Sequence, residues 1–445
     1  MRSLLQAEPY IKFSKKIDRS MLGDYNPARL MYQTLILSRE GVMFVGKTKL
    51  TSEKSSRLLI LLLGLQHTFT MFGATILVPI LTGLDISVAL FTAGLGTLLF
   101  NRITKNKIPV FLGSSFAYIA TIKLASERYG MEYALGGIFC VGLVYLLVSL
   151  LIYRIGIEKV VKLLPSYVTY PLIIVIGLKL APTAIGMAQE NWIIAILCVA
   201  IMILISHYGK GFAKTIPVLI TLIFGYILSL AFFELDFTQL DYRIFGLPNF
   251  TFPKFSLDAI LLMLPISLVT ILEHIGDIES ISVVTGKDIK KEVGLHKTIL
   301  GDGLATSLAA LFGGPANTTY SENTGVLALT KVFNPAIMVV AGVFSIILSL
   351  SPFVASLLSS IPSAVIGGIS IVLFGMIAGT GIRGMKEDSS PMTNKKVIIS
   401  AIVLVLGIGI ETIAIGPVNL TGMSLAVIAG IILNLILHEN EKDKP

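Results

Sequence analysis

Long apolar runs alternate with short polar connections along most of the chain. A run such as Leu58–Ile80 reaches the roughly 20 residues that cross a bilayer core at 1.5 Å per residue. Lipid offers no partner to an open backbone, so each run is predicted to be helical. The pattern predicts about fourteen spans, near 57–81, 86–103, 109–125, 132–153, 160–181, 191–206, 214–234, 257–281, 296–312, 316–332, 335–350, 353–380, 394–412 and 421–438.

The fold class that follows is an all-α polytopic membrane protein. The composition agrees, because 54% of the 445 residues are hydrophobic and 14% are charged, whereas a soluble domain has roughly 25% charged residues. Cys140 and Cys198 both lie within apolar runs, so neither a disulfide framework nor a metal site is expected. We expect no cofactor.

The charges indicate how the chain crosses the membrane. Basic residues, including Arg102, Lys210 and Lys290, fall in the connections after even-numbered spans. The other connections carry acidic residues such as Glu190 and Asp241. Positive connections stay in the cytoplasm, so both termini are predicted there, in a multi-pass plasma-membrane protein. The net charge of +8 is explained by these cytoplasmic basic residues and does not indicate a nucleic-acid partner.

A polar break near 235–257 divides the spans into two halves of seven. An odd number of spans makes the second half enter from the opposite side, which is the arrangement of an inverted 7+7 repeat. The predicted organisation is a polar cytoplasmic extension (1–56), a first repeat (57–234), a second repeat (257–438) and a cytoplasmic tail (439–445).

The third span of each half is irregular. One begins with Pro109 and leads through Gly113 to Ser115, and the other begins with Pro315 and leads through Thr318 to Tyr320. Hydroxyl residues are good N-caps, so each stretch predicts a short extended segment followed by a half-helix. Such a helix aims free N–H groups and a positive dipole end into a cavity. A simple Pro/Gly kink is the alternative, and the matching positions argue against it.

A few ionisable residues lie within the predicted spans, where such groups are usually functional. Glu273 and Asp277 are four residues apart and share one helix face. Carboxylates in a site of low dielectric constant do not all ionise, so one is expected to hold a proton near neutral pH. The helix dipole favours the charged form of Glu322. The others are Asp302, His67 and His274.

Structural roles remain open for these residues. A buried ion pair would explain Glu273 and Glu322, but no basic residue lies at matching depth. Asp302 would serve equally as a helix cap or as a hydrogen-bond partner between helices. His67 and His274 would serve as packing histidines, and for His274 packing is the favoured reading.

Four motifs resemble those of the nucleobase–ascorbate transporter family, and most closely those of its bacterial uracil:proton symporters. The likeness covers about 57–438, and the motifs follow the family's order and spacing. They are Leu65-Gln66-His67, Leu112-Gly113-Ser114-Ser115-Phe116-Ala117, Glu273-His274-Ile275-Gly276, and Asn317-Thr318-Thr319-Tyr320-Ser321-Glu322-Asn323-Thr324-Gly325.

The resemblance implies a core domain (spans 1–4 and 8–11), a gate domain (spans 5–7 and 12–14) and a substrate held between spans 3 and 10. Glu273 and Glu322 would bind the N–H groups of uracil, and the amides of Phe116 and Ser321 would donate to its oxygens. Tyr320 would line the pocket. Proton coupling and support would come from Asp277, His67, Gln66, Asp302 and Asn323. A homodimer through the gate domain is also implied, with the proton as coupling ion.

The sequence departs from the uracil branch at three positions. Ser321 replaces a common glycine, but the expected contact is a main-chain amide. Asp277 stands where the best-matching permeases have a histidine that partners Glu273. Asp302 is more like the purine-transporting relatives, whereas Lys331 after Thr330 is like the uracil branch.

The leading interpretation is therefore a uracil importer driven by protons. A xanthine or purine permease of the same family is the first alternative. An anion transporter with a related fold is the second, although such proteins usually carry a large C-terminal domain. An intramembrane enzyme is the third, but the sequence has no HExxH motif and no GxGD setting for catalytic aspartates.

Overall fold

The computed structural model describes residues 57–161, 165–233, 238, 240–388, 390–415 and 418–437. The predicted N-terminal extension and C-terminal tail lie outside these residues. Helices dominate the described chain, which confirms the all-α class. The first half contains α1 (Arg57–Thr82), α2 (Ile86–Ile103), β1 (Leu112–Ser114), α3 (Ile119–Tyr129), α4 (Met131–Ile155), α5 (Ile157–Val161), α6 (Ser166–Ala188), α7 (Trp192–Tyr208), α8 (Phe212–Thr215) and α9 (Pro217–Ser229).

The second half repeats the order of the long elements, again with a short strand and a short helix in third place. This order is what an inverted repeat predicts. The elements are α10 (Leu257–Thr285), α11 (Ile289–Glu292), α12 (Leu295–Phe312), β2 (Asn317–Thr319), α13 (Ser321–Thr330), α14 (Ala336–Ser349), α15 (Pro352–Ser359), α16 (Ser363–Glu387), α17 (Asn394–Gly409), β3 (Thr412–Ile415), β4 (Val418–Thr421) and α18 (Gly422–Ile436).

Six helices in the described part of the chain are long and apolar enough to cross a membrane by themselves, or seven if the bent pair α14 and α15 forms one span. Three shorter apolar helices, α7, α9 and α18, have 10–17 residues. Thirteen of the fourteen predicted spans coincide with a helix or with a strand and half-helix, and the run 353–380 contains two helices. The number fourteen itself, like the cytoplasmic placement of both termini, stays a prediction.

The long helices pack as two groups. The core group consists of α1–α4, α10 and α12–α14, whose main helix contacts lie among themselves, for example α4 with α12 and α2 with α14. The gate group consists of α6, α7, α9 and α16–α18, where α6 packs along α16. This division matches the core and gate domains that the family resemblance implies.

Close backbone approach inside the core group depends on Gly94 of α2. A β-carbon at this position would lie 2.4 Å from the carbonyl oxygen of Gly342 in α14. Small residues allow such crossings between helices in a bilayer, where van der Waals packing holds helices together. The pairing of α2 with α14 therefore requires glycine here.

One predicted span was wrong in its bounds. The run 353–380 is not one helix, because α15 ends at Ser359 and α16 begins at Ser363. The axis of α15 is turned by 81° from α14. Pro362 disfavours helical backbone at the residue before it, which separates the two helices. The antiparallel hairpin of β3 and β4 between α17 and α18 was not predicted either.

Candidate functional site

The two irregular stretches meet as a small antiparallel sheet. Strand β1 pairs with β2 so that Leu112 faces Thr319 and Ser114 faces Asn317. The ladder continues one step further, where the amide of Ser115 donates to the carbonyl of Ala316 at 2.9 Å. The extended segments predicted from the sequence are therefore present, and they pair with each other across the two halves.

Threonine side chains from surrounding helices satisfy the non-helical backbone. The amide of Leu112 donates to Thr97 Oγ1 of α2 at 2.9 Å, and Thr306 Oγ1 of α12 donates to the carbonyl of Asn317 at 2.9 Å. Non-helical backbone inside the hydrocarbon region of a bilayer is tolerated only where it is buried in protein or lines a cavity. These hydroxyl groups explain how a sheet persists inside a helix bundle.

A short helix follows each strand. After β1, a 3-10 turn (Phe116–Tyr118) leads into α3, and after β2, α13 begins at Ser321. Ser115 and Tyr320 hold the N-cap positions, but neither side chain caps its helix. The sequence-based expectation of hydroxyl capping is therefore wrong at these two ends. The first amides of a helix have no intrahelical partner. The helical segments that follow β1 and β2 therefore both offer backbone N–H donors, and the pairing of the strands brings these donors close together.

Tyr320 joins the two strands. Its hydroxyl donates to the carbonyl of Ser114 at 2.7 Å, and 6% of the residue is exposed. The ring lies over Gly113, where an added β-carbon would come within 2.4 Å of a ring carbon. Tyr320 thus packs against the strand from the first half, and its role in lining a pocket stays a prediction.

The two glutamates differ in exposure. Glu322, in the first turn of α13, is exposed, whereas the next two residues, Asn323 and Thr324, are buried. Glu273 on α10 is half-buried. Glu322 therefore stands at the exposed start of the second half-helix, whereas Glu273 is partly covered by its neighbours.

Asp277 and Asp302 lie in a buried polar cluster behind the sheet. Thr319 Oγ1 donates to Asp277 Oδ2 at 2.8 Å. His274 Nδ1 lies 3.2 Å from Asp302 Oδ2, and both side chains are fully buried. The same nitrogen is 3.5 Å from Thr319 Oγ1. Strand β2 and helices α10 and α12 are thereby connected through polar side chains.

The first span contributes one buried contact to the site. His67 Nδ1 pairs with Asn323 Oδ1 at 2.8 Å, one residue beyond Glu322. Gln66 instead donates to Thr215 Oγ1 of α8 at 3.3 Å. His67 thus joins α1 to α13, whereas the hydrogen bond of Gln66 joins α1 to α8.

Phe116 places the site at the boundary between the two helix groups. Its ring makes an edge contact with Phe374 of the gate helix α16, with centroids 6.3 Å apart. Phe116 belongs to the core group, so the first half-helix begins where core and gate meet. A ligand bound here would contact both groups.

Two residues of this cluster were missed from the sequence. His274 was read as a packing residue, and Thr319 was given no role, yet both contact the carboxylates of the cluster. The partner of His274 is Asp302 on a different helix, so the spacing along α10 carried no signal for this contact. Thr319 approaches from a different strand, so no local pattern indicated its contact.

Replacing Thr319 by Val should lower stability, because it removes a donor to a buried carboxylate. Hydrogen bonds to charged groups contribute roughly 1.5–3 kcal/mol, so the apparent melting temperature of the purified protein should fall by several degrees. Thr319→Ser keeps the hydroxyl and should melt close to the parent. A Val variant as stable as the Ser variant would contradict the role of this bond.

Within the described residues, no group of three or more His, Cys, Asp or Glu side chains is placed to hold a metal ion. The chemistry of the site is therefore described by its amides, carboxylates and aromatic rings. Amides supply donors and carboxylates supply acceptors, which suits a small ligand that carries both kinds of group.

Solved structures of other transporters share this fold. The transmembrane domain of a cyanobacterium bicarbonate transporter, BicA, aligns with a TM-score of 0.61 over 84% of this chain and 96% of that chain, at 18% identity. Murine Solute Carrier 26 family member A9, an anion transporter in the inward-facing state, aligns with a TM-score of 0.65 over 96% of this chain and 74% of that chain, at 12% identity. The likeness concerns the fold alone.

Sequence relatives cover nearly the whole chain. A uracil permease of Bacillus caldolyticus is 43% identical over 84% of this chain and 91% of its own length. A uracil permease of Bacillus subtilis is 42% identical over 85% and 93%, and a probable uracil permease of Haemophilus influenzae is 42% identical over 88% and 97%. A sequence profile described as Permease family matches residues 59–416. The resemblance carried by the four motifs is thus confirmed: the chain belongs to this permease family and is a membrane transporter rather than an enzyme.

Proposed function

We propose that this transporter imports uracil across the plasma membrane by proton symport. Three relatives at 42–43% identity carry the name uracil permease or probable uracil permease. The substrate is held between the half-helices that follow β1 and β2. The observation that carries this proposal is the pairing of the two strands, since it brings the two half-helix starts together beside an exposed Glu322.

The proposed contacts follow from donors and acceptors. The amides of Phe116 and Ser321 begin the two short helices and donate to the ring oxygens. The carboxylates of Glu273 and Glu322 accept from the ring N–H groups, with bonds that are stronger when the acceptor is charged. Tyr320 and the ring of Phe116 supply the flat apolar surface that a planar base needs.

The carboxylate cluster supports proton coupling. Glu273 and Asp277 lie four residues apart on α10, and Asp302 contacts the same helix at His274, so the site collects several carboxyl groups that can exchange a proton. A carboxyl that takes up a proton on one side of the membrane and releases it on the other links proton flow to substrate movement. Asp277 accepts a hydrogen bond from Thr319 of β2, so a change in its protonation would act directly on the paired strands.

Alternating access in this proposal is a movement of the core group against the gate group. The contact of Phe116 with Phe374 crosses their boundary, and each glutamate belongs to the core. The substrate therefore travels with the core group while the gate group seals one side and then the other, as in transporters with inverted repeats. A homodimer through the gate group is proposed from the family resemblance.

Radiolabelled uracil uptake in a permease-deficient cell tests the proposal. Uptake should rise with an inward proton gradient and fall to background with a protonophore, because the proton supplies the driving force. Dependence on sodium instead would exclude proton coupling. Unlabelled xanthine that competes better than unlabelled uracil would assign the site to a purine permease, the alternative that Asp302 favours.

A further inference from the structure

A cavity of about 470 Å³ lies outside the site already described. It is formed where α4 ends, between Ile152 and Ile157 on one side and the connection from α11 to α12 on the other. The proposed transport reaction uses none of its residues. The positive-inside pattern predicts that this end of the molecule faces the cytoplasm.

Lysines contribute the positive charge in the walls of this cavity. Lys290, Lys291 and Lys297 line it, and Lys107 reaches its edge, where its ammonium group lies 3.4 Å from the carbonyl oxygen of Glu292. One carboxylate, that of Glu292, also belongs to the walls. Glu279 and Asp288 pair with two of these lysines, so four ammonium groups meet three carboxylates. The remaining positive charge favours an anionic occupant.

Existing ion pairs leave these lysines available. Lys290 pairs with Glu279 at 2.7 Å, and Lys291 pairs with Asp288 at 3.3 Å, but all four side chains are at least 42% exposed. Exposed pairs of this kind contribute little energy, and an ammonium group has three donors. Among the described residues, Lys297 has no carboxylate within ion-pair distance.

An apolar helix face leads directly to the cavity. Leu147, Leu151 and Tyr153 of α4 are 61%, 49% and 67% exposed. In a membrane protein such a face contacts lipid chains. The ring of Tyr153 also lies against His296, with centroids 5.2 Å apart, and His296 lines the cavity. Tyrosine is typical of the depth at which headgroups begin, so chain-binding and headgroup-binding surfaces are continuous here.

We propose that the cavity binds the phosphate headgroup of an anionic phospholipid, with its acyl chains along the exposed face of α4. Charge complementarity selects the headgroup, because basic pockets beside membrane helices attract anionic lipids. The neighbouring leucines select a lipid over a soluble phosphate. The occupied site would fix the end of α4, and with it the core group, at the membrane surface.

Lipid titration of the purified full-length protein, followed by native mass spectrometry, tests this proposal. Dioleoylphosphatidylglycerol should bind more tightly than dioleoylphosphatidylcholine. The double variant Lys291→Gln with Lys297→Gln should bind the anionic lipid roughly thirtyfold more weakly, given the contribution of each lysine near an anionic surface. The matched control, Lys210→Gln with Lys386→Gln, removes two exposed lysines outside the cavity and should bind like the parent.

Three results would overturn the proposal. Equal affinity of the parent for the two lipids would remove the charge selection, and this measurement needs no variant. Equal weakening in the cavity and control variants would show a general surface effect. Displacement of the anionic lipid by millimolar inorganic phosphate would assign the cavity to a soluble phosphate. Retained selectivity in the single variant Lys297→Gln but not in the double variant would support the proposal.

Discussion

Uracil uptake should fall by roughly a hundredfold or more when either Glu322 or Glu273 is replaced by Gln. The amide keeps the shape of the side chain but is a neutral acceptor, and hydrogen bonds to charged groups are roughly twice as strong as neutral ones. It also cannot exchange a proton, so coupling is lost together with affinity. Initial rates of labelled uracil uptake, normalised to the amount of protein in the membrane, measure the effect.

Glu127→Gln is a suitable control for this experiment. Glu127 is exposed at the far end of α3, so the same chemical change there should leave uptake near the parent rate. Each glutamine variant should also keep the size-exclusion profile of the parent, since neither glutamate is fully buried. Normal uptake by Glu322→Gln or Glu273→Gln would refute the site.

The second large effect is expected from Gly113→Ala. The new β-carbon would lie 2.4 Å and 2.6 Å from two ring carbons of Tyr320, and 2.9 Å from Thr75 Oγ1. Tyr320 cannot yield easily, because its hydroxyl is bonded to Ser114 and its backbone leads from β2 into α13. Overpacking of this kind costs about 1–3 kcal/mol. We expect a lower melting temperature and at least a tenfold loss of uptake.

Gly186→Ala makes the same substitution in open space, since nothing lies within 4 Å of an added β-carbon there. Alanine is favoured over glycine inside a helix by about 1 kcal/mol, so this control should be as stable as the parent or more so. If Gly113→Ala retained both parental stability and parental uptake, the packing of Tyr320 against β1 would not matter for the site.

Much of the fold was accessible from the sequence because lipid imposes strong rules on apolar segments. Run length predicted helices such as α1 and α10, and the matching positions of Pro109 and Pro315 predicted two extended segments. The break between α15 and α16 was missed because Pro362 lies inside an apolar run. Whether a proline kinks a helix or ends it depends on the backbone around it. The hairpin of β3 and β4 was missed because it lies between the predicted spans 394–412 and 421–438, in a segment that was read as a plain connection.

The sequence indicated which residues belong to the candidate site better than it indicated which of them contact each other. Glu273 and Asp277 were expected on one helix face from their spacing alone. The bonds from Thr319 to Asp277 and from His67 to Asn323 join elements far apart in the chain, and spacing carries no information about such pairs. The lack of side-chain capping at Ser115 likewise depends on how the strand enters the turn.

The pairing of β1 with β2 also determines how late in synthesis the transport site is able to fold. Tyr320 and its acceptor Ser114 are separated by 206 residues, which a ribosome adding 5–20 residues per second needs about 10–40 s to make. Until then β1 has an unpaired edge within the bilayer, where open backbone is costly. The first repeat must therefore wait in the membrane with this edge shielded by its own helices or by insertion factors, and the transport site comes into being only with the tenth span.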